Sequence, residues 1–431
     1  MSSFLTARNW TICFCLVAVV GTAQEVTLKG DWPQFRGPKR DGVASETGLL
    51  TEWPDDGPPL AWESSGAGRG YGSLSIVDDR IFTLGDGLST AGDKDEYVSC
   101  FDRASGKQLW TTKVGAPWTS GQASWQSSRS TPTVDGDLLY VVTPFGELVC
   151  LESRTGVERW RTHMKDELEG QKGDGWGYSE SVLIDGEKVV CTPGGSRATM
   201  VALNKENGDV IWKAVWPEDR GAGHASIVIG MAGTTRVYVQ TTAGGALGVR
   251  ASDGQLLWTY PIDRTTAVIP NPIVRGDLVF ITAGYRRGGA LLRQVPDGSG
   301  GVDCEEVYPL NVQLNNKHGG VVLVGDYLYG DTDSQGMPFC AELLTGKQMW
   351  NERGSGRGSA AVTAADGHLY IRYDNGVLVL AKASPAGYEE VSSFKIPYSG
   401  ARPSWSHPVI AGGRMYLREQ DRVLCYDISA R

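Results

Sequence analysis

Cys150-Leu-Glu-Ser-Arg-Thr-Gly156-Val-Glu-Arg-Trp160 sets an apolar strand, a glycine turn and a tryptophan-bearing strand into eleven residues. The pattern returns in Ala202-Leu-Asn-Lys-Glu-Asn-Gly208-Asp-Val-Ile-Trp212, and the glycine-to-tryptophan step recurs at Gly106 to Trp110, Gly254 to Trp258 and Gly346 to Trp350. Ahead of Cys150 come a β-patterned run at 131–134, a turn at Asp135-Gly136 and a second run at 138–142. Asp-Gly and Thr-Gly corners suit tight reversals because glycine accepts positive φ at little cost. Three short strands before each tryptophan strand make a four-stranded unit, the blade of a β-propeller.

Two units carry another aromatic in the tryptophan place, Tyr308 and Phe394. Trp62, in Pro58-Pro-Leu-Ala-Trp62, has no strands before it, whereas the last unit, 403–428, supplies three strands and ends without its outer-strand tryptophan. Joined, the two ends complete one blade and remove the open sheet edges. Trp62, Trp110, Trp160, Trp212, Trp258, Tyr308, Trp350 and Phe394 follow one another at 42 to 52 residues. They predict an all-β, eight-bladed propeller over 58–431, with an arm at 24–57 that is expected to lie extended on the outer wall. The tryptophans are read as structural, each packing between blades and donating its indole N–H.

These repeats resemble the tryptophan-docking motif of the PQQ-like, or quinoprotein alcohol dehydrogenase-like, propellers over almost the whole chain. Trp32-Pro-Gln-Phe-Arg-Gly37, His318-Gly-Gly-Val-Val322 and Trp405-Ser-His-Pro-Val409 are similar to stretches of exported bacterial members of unknown role. The resemblance implies two kinds of role. Quinoprotein dehydrogenases of this superfamily hold PQQ over Ca²⁺ with carboxylate and amide side chains and use an aspartate base. They also carry an adjacent-cysteine disulfide ring and often a haem domain. The propeller lipoprotein of the outer-membrane β-barrel assembly machine instead binds proteins without catalysis. This sequence has no Cys-Cys pair, no Cys-x-x-Cys-His and no stretch matching the calcium ligands. No cofactor is therefore expected, and PQQ with calcium belongs to the alternative reading.

A formal charge of −9 and a pI near 5.2, with scattered basic residues, argue against a nucleic-acid partner. Residues 1–23 read as an export signal: Arg8, an apolar run at 12–20, and Gly21-Thr22-Ala23. The run is shorter than the roughly 20 residues of a membrane span. Cys13 and Cys15 lie inside it, so no lipoprotein site is read there. Export permits disulfides, yet Cys100, Cys150, Cys340 and Cys425 occupy equivalent third strands, and with Cys191 and Cys304 they are expected to be free thiols.

Registering the blades on their innermost strands brings polar and aromatic residues to one mouth of the central channel. They are Arg69, Tyr71, Arg129, Tyr178, Glu180, His224, Asn271, His318, Arg357, Trp405 and His407. A concavity with convergent polar groups is the expected ligand site. Insertions holding Trp118 and Trp125, and 167–176, are expected to contribute. Asp331, Asp333, Gln335 and Glu342 imitate calcium-loop spacing, but the surroundings read as an ordinary hairpin turn. The expected function is an exported, non-catalytic, monomeric binding or scaffold protein of the bacterial envelope, soluble once the signal is removed, taking a protein partner or a small molecule. The alternative is a PQQ- and calcium-dependent dehydrogenase acting on alcohol or sugar hydroxyls.

Overall fold

A computed structural model describes Met1 and residues 30–87, 95–332 and 335–430. The expected export signal, Cys13, Cys15 and Asp333 lie outside the described residues. Eight antiparallel four-stranded sheets form the propeller, and helix is confined, among the described residues, to two 3₁₀ turns, Ala123–Trp125 and Val312–Leu314. Blade two shows the plan with strands Thr133–Asp135, Leu138–Val142, Glu147–Glu152 and Glu158–His163. Leu60–Ser65 pairs with Arg422–Asp427 as the outer strand of blade eight, so the two ends of the chain close the ring as expected.

In every blade the third and fourth strands slip register, beside the aromatic except in blade seven, where the slip falls next to Ser392, two residues before Phe394. Such a bulge adds twist and re-aims the side chain. The residue opposite is matched in size. Cys100, Cys150, Cys340 and Cys425 face Trp110, Trp160, Trp350 and Trp62; Ala202 faces Trp212, and Gly248 faces Trp258. Leucine stands opposite the smaller rings, Leu291 to Tyr308 and Leu378 to Phe394. The repeated cysteines thus leave room for an indole. All six described cysteines are unpaired, and burial pushes the thiols of Cys100, Cys150 and Cys425 up to about 12.

Each ring then docks on the next blade. The rings of Trp62, Trp110, Trp160, Trp212 and Tyr308 lie against Gly106, Gly156, Gly208, Gly254 and Gly346, all at positive φ, and Phe394 lies against Gly57 of the arm. Trp160, Trp258 and Trp350 donate their indole N–H to Lys205 O, Gln294 Oε1 and Ser384 O. The Trp110 and Trp212 nitrogens are buried without a partner, contrary to the expectation that every indole finds one. There, apolar packing carries the contact alone.

The arm does not lie where the sequence reading puts it. Trp32 pairs with Ile76 on the innermost strand of blade one, and Val134 N–H of blade two donates to Pro33 O. Arg36 donates to Val321 O at 2.5 Å, and Arg40 to Ser181 O and to Val182 O at 3.0 Å. Ala44 N–H reaches Ala364 O of blade seven, and Glu46 accepts from Gly412 and Gly413 in the first turn of blade eight. Residues 32–44 are therefore a hairpin-like plug within the channel. Its apolar residues lack strand alternation because the contacts are made through backbone and guanidinium groups. Only the following stretch runs outward, where Trp53 packs on Tyr370 and Phe394.

The docking lock can be separated from backbone preference. Gly208 and Gly186 of blade three both have positive φ, but a Cβ at Gly208 would fall 2.8 Å from the Trp160 ring, whereas at Gly186 it meets open space. Gly208→Ala is expected to destabilise by about 1–3 kcal/mol more than Gly186→Ala, read from denaturant midpoints at unchanged m-value; equal losses would remove the lock.

Candidate functional site

The plug makes the channel blind. Above it a cavity of about 300 Å³ opens at the strand-entry end, with Phe35 and His407 at its inner end, their rings 5.0 Å apart and edge to face. Tyr71, Trp125, Trp176, Tyr285, His318 and Trp405 supply most of its aromatic wall. Trp405 lies 4.5 Å from Tyr71 and 4.8 Å from His318 between ring centroids, and its indole N–H donates to Asp374 Oδ1 at 2.7 Å.

Of the eleven residues expected at the mouth, Tyr71, Arg129, His224, His318, Trp405 and His407 line the cavity. Arg69 turns away into an ion pair with buried Asp86 at 2.8 Å. Tyr178 donates to Pro193 O at 3.0 Å, and Glu180 accepts from Thr192 and Gln240 between blades three and four. Asn271 caps Ser226 N–H at 2.8 Å, and Arg357 sits on an outer turn beside Asn375. These five are not in the lining because strand-entry position fixes height along the channel, while the local turn decides which way a side chain points.

The described residues of the imitation calcium loop belong to a β-hairpin. Asp331 pairs in register with Pro338, whereas Glu342 pairs with Tyr327 at the other end of the same two strands and accepts from Thr345. Gln335 N–H bonds back to Thr332 O within the turn. Among the described residues no three His, Cys, Asp or Glu groups come together in a metal-holding arrangement.

Sequence reasoning missed Phe35, Ser179, Tyr285 and Lys317 as lining residues and the carboxylate Asp374 behind Trp405. The two insertions flagged for function do deliver Trp125, Trp176 and Asp174. Arg129 fastens them together by donating to Trp125 O and, at 3.1 Å, Trp176 O.

Charge in the mouth is one-sided. His224 Nε2 lies 2.8 Å from Asp174 Oδ2, and Lys172 Nζ lies 3.1 Å from the other carboxylate oxygen. Burial would raise Asp174, but His224 and Lys172 outweigh it and hold the carboxyl below its usual range. Burial, and then the Lys172 charge, push His224 down to about 4, and burial brings Lys172 down to about 8. Asp374 is pushed up by burial to about 6.

With this geometry in view, residues 94–352 match the family described as outer membrane protein assembly factor BamB. The chain belongs to that family. One member, outer membrane protein assembly factor BamB of Burkholderia pseudomallei (strain K96243), is 25% identical over 264 residues, which cover 59% of this chain and 61% of that protein. Tetrathionate hydrolase of Acidithiobacillus ferrooxidans is 24% identical over 325 residues, covering 74% of this chain and 53% of that protein. The chain thus matches about half to three fifths of the length of these relatives. Quinohemoprotein alcohol dehydrogenase from Comamonas testosteroni superposes with a TM-score of 0.61 at 13% identity, over 93% of this chain and 81% of that structure. At that identity the likeness is one of fold. The family to which the chain belongs and this structural neighbour agree on a PQQ-like repeat propeller, as the sequence resemblance implies.

The histidines give a pH signature. Burial pushes His318 down to about 3, so the unfolded chain binds a proton near the ordinary 6.5 that the folded protein refuses until about 3. Stability from this group is complete above pH 6.5 and falls as pH drops toward 3. His318→Gln is expected to lessen the loss of unfolding free energy between pH 7 and 4.5 by on the order of 1 kcal/mol; parallel profiles would exclude the effect.

Proposed function

We propose that this protein is an exported, envelope-associated binding or scaffold propeller that acts as a receptor through its blind channel mouth. The observation that carries the reading is the cavity itself: aromatic walls closed by Phe35, with Arg129 at its edge. The three bonds described for Arg129 go to the carbonyls of Ser127, Trp176 and Trp125 and leave its charge without a bonded carboxylate. The Asp174 charge is answered by His224 and Lys172, and Asp374 is shifted toward its neutral form. The field therefore favours a ligand with a flat ring and a negative charge, free or displayed by an envelope partner. Family membership and the assembly-factor name of its relatives support the envelope setting, as does the export signal read in 1–23. Among the described residues no helix is long and apolar enough to cross a membrane.

The PQQ- and calcium-dependent reading finds less support. Asp174 and Asp374 are engaged by His224, Lys172 and Trp405, and Asn271 is turned to Ser226. Their present partners favour a receptor over a calcium-held quinone.

Anilinonaphthalene sulfonate, a flat aromatic anion, tests the mouth. Purified protein is expected to bind one equivalent saturably, and Arg129→Gln or Trp405→Ala to weaken binding at least about tenfold, on the scale of one lost cation–π or charge contact. Equal binding by wild type and both variants would overturn the assignment. Full-length chain should fractionate with the envelope or periplasm; retention in the cytoplasm would remove the setting.

A further inference from the structure

Three side chains of the mouth form a connected line whose geometry a binding role does not require. Ser179 precedes the innermost strand of blade three, His224 precedes that of blade four, and Asp174 comes from the insertion ahead of Ser179. Ser179 Oγ lies 2.5 Å from His224 Nδ1, and His224 Nε2 lies 2.8 Å from Asp174 Oδ2. Ionised Asp174 can only accept, so Nε2, 2.8 Å from Oδ2 against 3.4 Å from Lys172 Nζ, carries the hydrogen and donates it to the carboxylate. Nδ1 then faces Ser179 with its lone pair, and the bond between them is donated by the serine hydroxyl. Asp174 is itself held in place by the Trp176 N–H at 3.1 Å and by Lys172 Nζ at 3.1 Å, while Lys172 is anchored on Ala222 O at 2.9 Å. Both Ser179 and His224 are largely buried, yet both reach the cavity wall.

This arrangement meets the requirements for an activated hydroxyl. A nucleophile is hydrogen-bonded to a base, and the base is oriented by a half-buried carboxylate. A cavity lies beside the nucleophile. We propose that Ser179 is a nucleophile for acyl transfer, with His224 as its base and Asp174 orienting the imidazole, and that the substrate class is a carboxylic ester bearing a flat ring. The ring would lie among Tyr71, Trp125, Trp176 and Trp405, and Arg129 supplies positive charge on the same wall for the developing oxyanion.

The step is redox-neutral. Ser179 Oγ bonds to the acyl carbon as its proton passes to His224 Nδ1. The carbon–oxygen bond to the alcohol then breaks, and the alcohol leaves with that proton. Water repeats the sequence, giving its proton to Nδ1 and its oxygen to the acyl group, and the carboxylic acid departs as Ser179 recovers its hydrogen. Burial, with Lys172 behind it, keeps His224 in the neutral form that can accept a proton at pH 7.

The inference goes beyond the binding reading and stands independently of it, because the test brings its own electrophile. A fluorophosphonate probe, which traps activated serines at phosphorus, is incubated with the purified full-length protein, and the adduct is mapped by mass spectrometry. One adduct is expected, on Ser179, absent in Ser179→Ala. His224→Gln and Asp174→Asn should slow its formation, the former by roughly a hundredfold. Ser181→Ala should label normally, since Ser181 Oγ accepts from Thr131 N–H and has no histidine partner. Thermal melting of each variant separates loss of chemistry from loss of fold. No adduct on the folded wild type, or an adduct formed as fast in folded His224→Gln, would overturn the proposal. Anilinonaphthalene sulfonate binding without labelling leaves the receptor and removes the nucleophile; labelling without that binding does the reverse.

Discussion

Everything in this fold depends on how one aromatic ring per blade is held. The ring leaves its strand at a bulge, stands over a residue small enough to admit it, and in most blades comes to rest on a glycine of the next blade. Burying an aromatic of this size is worth a few kcal/mol, and a ring multiplies the contact by the number of seams. A ring also has no tolerance for a missing seam. The arm supplies Gly57 to receive Phe394 where blade eight, completed by Leu60–Ser65 from the start of the chain, has no turn of its own to offer.

A second constraint is set by buried arginine. Arg36, Arg40 and Arg418 are almost wholly enclosed and bond mainly to backbone carbonyls. The segment Gly68-Arg-Gly70-Tyr-Gly72 wraps the Arg418 guanidinium, which lies where a Cβ on Gly70 would stand, so its glycines serve a cation. Carbonyl dipoles from several strands share each charge without cancelling it. An acidic protein is in this way able to keep a cationic channel mouth, with Arg129 held by carbonyls in the same manner.

The blades were legible because their rules are local. Turn glycines, strand alternation and a recurring aromatic all lie within one repeat; the substitute Tyr308 keeps the place beside the slip, while Phe394 stands two residues past it and Ser392 holds the repeat position. The size-matching of Cys150, Ala202 and Gly248 to the rings opposite was written in the sequence as well, though it needs the register to be recognised. The arm was not legible. Arg40 meets blade three through carbonyls 141 and 142 positions away, and a carbonyl carries no residue identity. The mouth was readable by half. Six side chains were found from strand-entry position, but Phe35 arrives from the arm and Asp174 from an insertion whose path obeys no repeat, while Ser179 follows that insertion and turns inward with it.

The plug enters and leaves by the same end of the channel: Asp31 caps the first turn of blade one, and Glu46 caps that of blade eight. It is an inserted finger, never threaded through. The cavity floor is thus separable from the walls, since Phe35 can be exchanged or the finger redrawn while every seam between blades stays as it is. The chamber's depth is therefore set by a stretch that contributes no strand to any blade, tied to the walls by carbonyl bonds and guanidinium groups and not by the aromatic seams.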